Sequence, residues 1–235
     1  MPRVARIVVP EVPHHITQRG NNRQDVFFVD DDRRVYLELL KQQSSRFGLN
    51  IIGYCLMTNH VHIVGTPLGD ESLARAVGRT HFLYTQYINR FHKRSGHLWQ
   101  NRFHSCPLDE YHLWQALCYL ERNPVRARMV RKAWRYDWSS ARAHVDGKDP
   151  TDMLDIKKWS RKWGGDEWRD ALQEPQDEDL ILRLRSSTHT GRPLGRDSFI
   201  SKLESVIGRR LRPLPVGRPR NKIKKIRKKG KRQRK

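Results

Sequence analysis

The sequence predicts an α+β domain built on an antiparallel sheet. Three observations carry this reading. "HHITQRGN" alternates as a strand and ends at the turn pair Gly20-Asn21. "IIGYCLM" and "HVHIVG" are β-prone runs separated only by Thr58-Asn59, which reads as a hairpin. Stretches with helical spacing stand between and after these runs, and strand, helix, hairpin, helix is an order that favours antiparallel pairing.

Residues 30–50 follow the first strand. Val35, Leu39 and Leu40 stand at helical spacing, aspartates crowd the first turn where the helix dipole favours them, and Gly48 is a stop signal. After the hairpin, residues 71–94 predict a second helix with Leu73, Val77, Tyr84, Tyr87, Ile88 and Phe91 roughly on one side. Residues 108–122 predict a third, ended by Asn123-Pro124. Beyond Val130 the character shifts to aromatic and basic, then tryptophan-rich, then acidic, and residues 192–211 read as a short amphipathic helix. This region, 131–216, is either a helical extension packed on the first 130 residues or a second DNA-contacting unit.

The chain of 235 residues has a net charge of +22, which argues for a polyanionic partner. Residues 217–235 hold twelve Lys and Arg and no acid, and read as a disordered basic tail. About +10 remains on the rest, so the tail is not the only handle on a polyanion. No apolar stretch approaches membrane-spanning length. Cys55, Cys106 and Cys118 are far apart with no CxxC spacing, and read as packing residues in a reducing, cytoplasmic compartment.

Two local patterns carry chemistry. In "TNHVHIVG", His60 and His62 are two apart, so on a strand they share a face while Val61 and Ile63 take the other. They are either half-exposed surface histidines or two metal ligands. In "LWQALCYLERNPVRA", Leu113, Ala116, Leu117 and Leu120 form an apolar helix face, and Tyr119 and Asn123 project together from its flank. They are either a boundary tyrosine and a helix-stop asparagine, or a nucleophile and an oxygen ligand delivered by one helical turn.

Taken together, "YCLMTNHVHIV" and "CYLERNPVRARMV" resemble the REP-associated tyrosine transposases, relatives of the single-tyrosine HUH transposases. "PHHITQRGNNRQ", "GHLWQNRFHS" and "YDWSSARAH" extend the resemblance over roughly residues 10–145. It implies a ferredoxin-like fold with helices on one face of the sheet and the histidines on a central strand. It further implies His60, His62 and Asn123 as ligands of Mg²⁺ or Mn²⁺, with Tyr119 as nucleophile. Tyr111 is a rival nucleophile. Thr58 stands where a proline is common in the family and Arg128 where a glycine is common.

The implied activity is metal-dependent cleavage and rejoining of hairpin-associated DNA through a 5′-phosphotyrosine. Free tyrosine titrates near pH 10, so a phenol needs help to attack an anionic phosphodiester, and a divalent ion answers part of that need. Arg19, Asn22 and Arg23 in the turn after the first strand are candidate DNA contacts. Trp99 and Arg102, with His104, offer a stacking surface and cations for a splayed base, and Arg126 offers a phosphate clamp. The partner would be single-stranded or hairpin DNA at the nucleoid, met by a monomer or a homodimer. The competing readings are a catalytically inactive DNA-binding regulator and a phosphohydrolase that uses water.

Overall fold

The structure, a computed structural model, describes residues 6–213; the basic tail from Gly217 lies outside the described residues. Strands β1 (His14–Arg19), β2 (Leu49–Met57), β3 (His60–Pro67) and β4 (His104–Pro107) form one antiparallel sheet in the order β2-β3-β1-β4. This is the ferredoxin-like order, with β3 and β1 in the centre.

The helix layer expected on one face consists of α1 (Asp30–Phe47) and α2 (Ser72–Phe91). Their apolar sides meet Ile16, Tyr54, Leu56, Val61 and Ile63 of the sheet. The Asp32 carboxylate accepts from the Phe28 and Val29 N–H groups at 2.7 and 3.0 Å, and left-handed Gly48 ends α1. The other face receives α3 (Glu110–Glu121), which packs on Cys55, Met57, Val64 and Cys106. Gly53 permits this approach, since a Cβ there would lie 2.7 Å from Leu117 Cδ2. α3 starts at Asp109, whose carboxylate accepts from the His112 N–H at 2.9 Å. All three cysteines are buried and free.

Residues beyond 130 pack on the sheet domain. Past a 3₁₀ turn at Ala133–Arg135, the Trp138 carbonyl accepts from the Leu56 N–H at 2.9 Å and the Ser140 N–H donates to Tyr54 O at 3.0 Å. These bonds cover the outer edge of β2, an edge otherwise open to pairing with another chain. Then come α5 (Ala141–Asp146), α6 (Ile156–Lys162) and α7 (Gly165–Ala171), labelled after the short turn α4 (Asn123–Arg126). Together with α3 they gather Trp114, Trp159, Trp163 and Trp168 into one ring cluster, with His144 stacked on Trp159 at 3.5 Å.

Glu121 anchors this cluster. Its carboxylate, fully buried, accepts from the Ser140 hydroxyl, from His144 Nδ1 at 2.7 Å and from Trp168 Nε1 at 2.7 Å. α8 (Glu178–Thr190) lies against β4 and β1, and α9 (Asp197–Ile207) packs through Leu203 on Ile7 and Val9. No helix of the described residues is long and apolar enough to cross a membrane.

Candidate active site

The register of the sheet assembles the imidazoles. His62 lies opposite Thr17 of β1 and Cys55 of β2, and His60 lies opposite Arg19. Strand alternation sends Val61 and Ile63 into the α1/α2 layer, so both histidines face α3. His15 of β1 leaves the sheet on the same side and sets its Nε2 3.0 Å from His62 Nδ1.

Tyr119 comes down onto this group from α3. Its ring centroid is 5.4 Å from that of His62 and 6.0 Å from that of His15, both edge-on. The ring is nearly buried, whereas Tyr111 is about half exposed, with its ring against His112. α3 ends at Glu121, yet Arg122 keeps right-handed helical dihedrals. Asn123 therefore stands one turn beyond Tyr119, at the start of α4, and is buried.

Two guanidinium groups flank the phenol. Arg126 lies 4.3 Å from the Tyr119 ring centroid and donates to Asn123 Oδ1. Arg185, from α8, lies 5.6 Å from the same centroid, and its Nε donates to the Tyr119 oxygen at 3.1 Å. The site therefore concentrates positive charge around a hydroxyl and neutral imidazoles. Burial, and then the charges of Arg19, Arg126 and Arg185, pushes His60 down to about 4. Burial pushes His15 to about 3 and, with its neighbours His60 and His15, holds His62 well below the usual histidine range.

The donor set suits a hard divalent ion only through Asn123. Among the described residues no group of three or more His, Cys, Asp or Glu could hold a metal. His60 and His62 are neutral imidazoles, as ligation requires, and an amide oxygen has two lone pairs, of which Arg126 uses one. The Asn123 amide nitrogen is buried with no partner among the described residues. The residues fit a weakly held, open-sided ion.

Residues 8–123 match the family model of IS200-like transposases. This segment belongs to that family. Among solved structures, the chain superposes on a REP-associated tyrosine transposase bound to a REP hairpin, with a TM-score of 0.54 and 17% identity. The match covers 65% of this chain and 90% of that one. A protein named only provisionally as a transposase, from Deinococcus radiodurans R1, aligns at 18% identity with a TM-score of 0.37, over 52% of this chain and 97% of that one. No curated protein matches.

The remaining predicted positions divide in two. Arg19, Asn22, Arg23 and Arg102 are exposed. Asn22 and Arg23 take left-handed conformations at φ 49° and 59° in the turn after β1. Gly20 allows that turn, because a Cβ would fall 2.2 Å from the Gln24 carbonyl oxygen. Trp99 corrects its expected role as a stacking surface. Its ring is buried on the α1/α2 side among Tyr36, His81 and Tyr84, and its Nε1 donates to His81 O at 3.3 Å. A base cannot reach it, because its large apolar area is taken by the core. Arg128 sits at φ 57°, a backbone shape that glycine adopts without strain.

Three residues at the site escaped the sequence reading. His15 had a signal: adjacent His14 and His15 on a strand must face opposite sides, so one of them shares the face of His62. Thr188 and Arg185 had none, because α8 is brought to the site by contacts across more than sixty residues.

Proposed function

We propose that the protein cleaves and rejoins single-stranded DNA beside a repetitive-palindrome hairpin, with Tyr119 as the nucleophile of a REP-associated tyrosine transposase. The observation that carries this is the Tyr119 phenol, whose hydroxyl is bound by Arg185, whose ring meets His62 edge-on, and over whose face lies Arg126, itself bonded to Asn123.

In the forward step the Tyr119 oxygen forms a bond to phosphorus and the bond from phosphorus to the 3′ oxygen breaks. The phenol proton passes to solvent, and the departing 3′ oxygen takes one back. The phosphodiester linkage is conserved as 5′-phosphotyrosine, so a second 3′-hydroxyl can reverse the step and join a new strand. Arg126 and Arg185 offset the charge of the phosphate and of the phenolate that leaves on rejoining. Mg²⁺ or Mn²⁺ on His60, His62 and Asn123 would polarise the scissile phosphate when bound. Arg19, Asn22, Arg23 and Arg102 supply outlying DNA contacts.

The test is a denaturing gel of labelled hairpin DNA incubated with protein and Mn²⁺. The expected result is a slow covalent band that vanishes in Tyr119→Phe while DNA binding is retained. A covalent band that persists in Tyr119→Phe overturns the assignment.

A further inference from the structure

We propose that His15 and Thr188 form a hydrogen-bond relay that selects the tautomer of His62 and so turns its Nε2 lone pair toward the cation site. This rests on the reading of His62 as a ligand. Its direction comes from one carbonyl. The Thr188 hydroxyl lies 2.7 Å from Leu184 O, which can only accept, so the single hydroxyl proton points there. Toward His15 Nδ1, also at 2.7 Å, the same oxygen must therefore accept, and His15 carries its proton on Nδ1.

His15 is 1% exposed, and its hydrogen-bond partners among the described residues are the neutral Thr188 hydroxyl and another imidazole, so a second proton would be an unpaired buried charge. Its Nε2 is then a bare lone pair. That lone pair faces His62 Nδ1 at 3.0 Å, which must supply the proton between them. His62 is left with an unprotonated Nε2, the form a metal ligand needs.

His60 reaches the same state by a separate route. The Asn59 amide nitrogen donates to Arg23 O at 3.0 Å, which orients the amide so that its oxygen accepts from His60 Nδ1 at 2.7 Å. Both imidazoles thus offer Nε2, but only that of His62 depends on the C-terminal extension. Thr188 lies outside residues 8–123, so the family segment alone does not contain its own relay.

Long-range ¹H–¹⁵N spectra of the full chain read the tautomers directly, and titration with Mn²⁺ reads the consequence. His62 and His15 should both appear protonated on Nδ1. His15→Phe and Thr188→Val should weaken Mn²⁺ binding by about 10–100-fold, and Thr188→Ser, which keeps the hydroxyl, should restore it. If His15→Phe fails to fold, the Thr188 pair carries the test. An Nε2-protonated His62, or wild-type Mn²⁺ affinity in Thr188→Val, overturns the relay. His62→Ala separates the two levels: if it leaves Mn²⁺ binding unchanged, the ligand assignment fails, and if it abolishes binding while the relay variants bind normally, only the relay fails.

Discussion

Successive residues of β3 leave the sheet on opposite sides. Val61 and Ile63 enter the apolar layer beneath α1 and α2, while His60 and His62 meet α3 and, through His15, α8. The first layer is closed by elements that are neighbours in the chain, within residues 30–91. The second is assembled from α3, α4 and α8, which span residues 110–190. On one face the strand's alternation is used for stability, and on the other for chemistry, so adjacent substitutions should separate the two.

The sharpest separation is His62→Ala against Ile63→Ala. Loss of His62 should reduce covalent-adduct formation on the order of a thousandfold while the chain stays folded. Loss of Ile63, which is fully buried, should cost about 2–5 kcal/mol of stability and leave the adduct rate per folded molecule unchanged. Adduct rates together with urea unfolding of both variants check this. If both variants lose activity in proportion to their stability, the division between the faces is wrong.

A smaller contrast compares the polar anchors of the two faces. Glu121 satisfies Ser140, His144 and Trp168 at once, so Glu121→Ala leaves several buried donors without a partner and should cost about 3 kcal/mol. Tyr36 on the helix face makes a single bond, its hydroxyl to His81 Nε2 at 3.0 Å, and Tyr36→Phe should cost about 1 kcal/mol. Unfolding midpoints give both values. Glu121→Ala should also slow adduct formation, because Glu121 lies between Tyr119 and Asn123 in the sequence and its carboxylate ties their helix to the extension. Equal stability costs with no change in rate would reduce Glu121 to ordinary packing.

This asymmetry also explains what could be read in the sequence. β1, α1, the hairpin and α2 were legible because alternation, capping aspartates and Gly48 are local signals. β4 was not: "HSCP" is four residues long, too short to show a period, and is held by pairing with β1. At the site, spacing and family resemblance single out His60, His62, Tyr119 and Asn123 as candidates, and in the structure His60 meets His62, His62 meets Tyr119, and Arg126 spans Tyr119 and Asn123. Trp99 misled because an aromatic beside arginines suits a base and a core equally well, and only the packing of α2 decides between them. α8 reads as an acidic stretch, although its apolar Leu180, Ile181 and Leu184 mark one face of it. Arg185 then follows from where α8 docks, which no local pattern encodes.

Acid should expose the comparison most gently. Both faces bury imidazoles: His14 and His81 on the helix side, pushed down to about 4 and about 3 by burial, and His15, His60 and His62 on the site side. An unfolded histidine takes its proton near pH 6.5, whereas these take it only at lower pH when folded. The folded chain therefore binds fewer protons, and its stability is complete above about pH 6.5 and declines as pH falls toward 3–4. Each such group contributes a slope of about 1.4 kcal/mol per pH unit. The window between pH 6.5 and 5 lies above the ordinary range of free carboxylic acids and across that of free histidine, so it weights the histidines. Urea unfolding at pH 7, 6 and 5 should show a steep loss, and His81→Gln should lower the slope by about one group's share. The larger part should persist in that variant, because three of the five groups lie on the site face. A slope that vanishes with His81 alone would mean that the site imidazoles are already exchanging protons with water, and that their face is far more open than the packing of α3 and α8 implies.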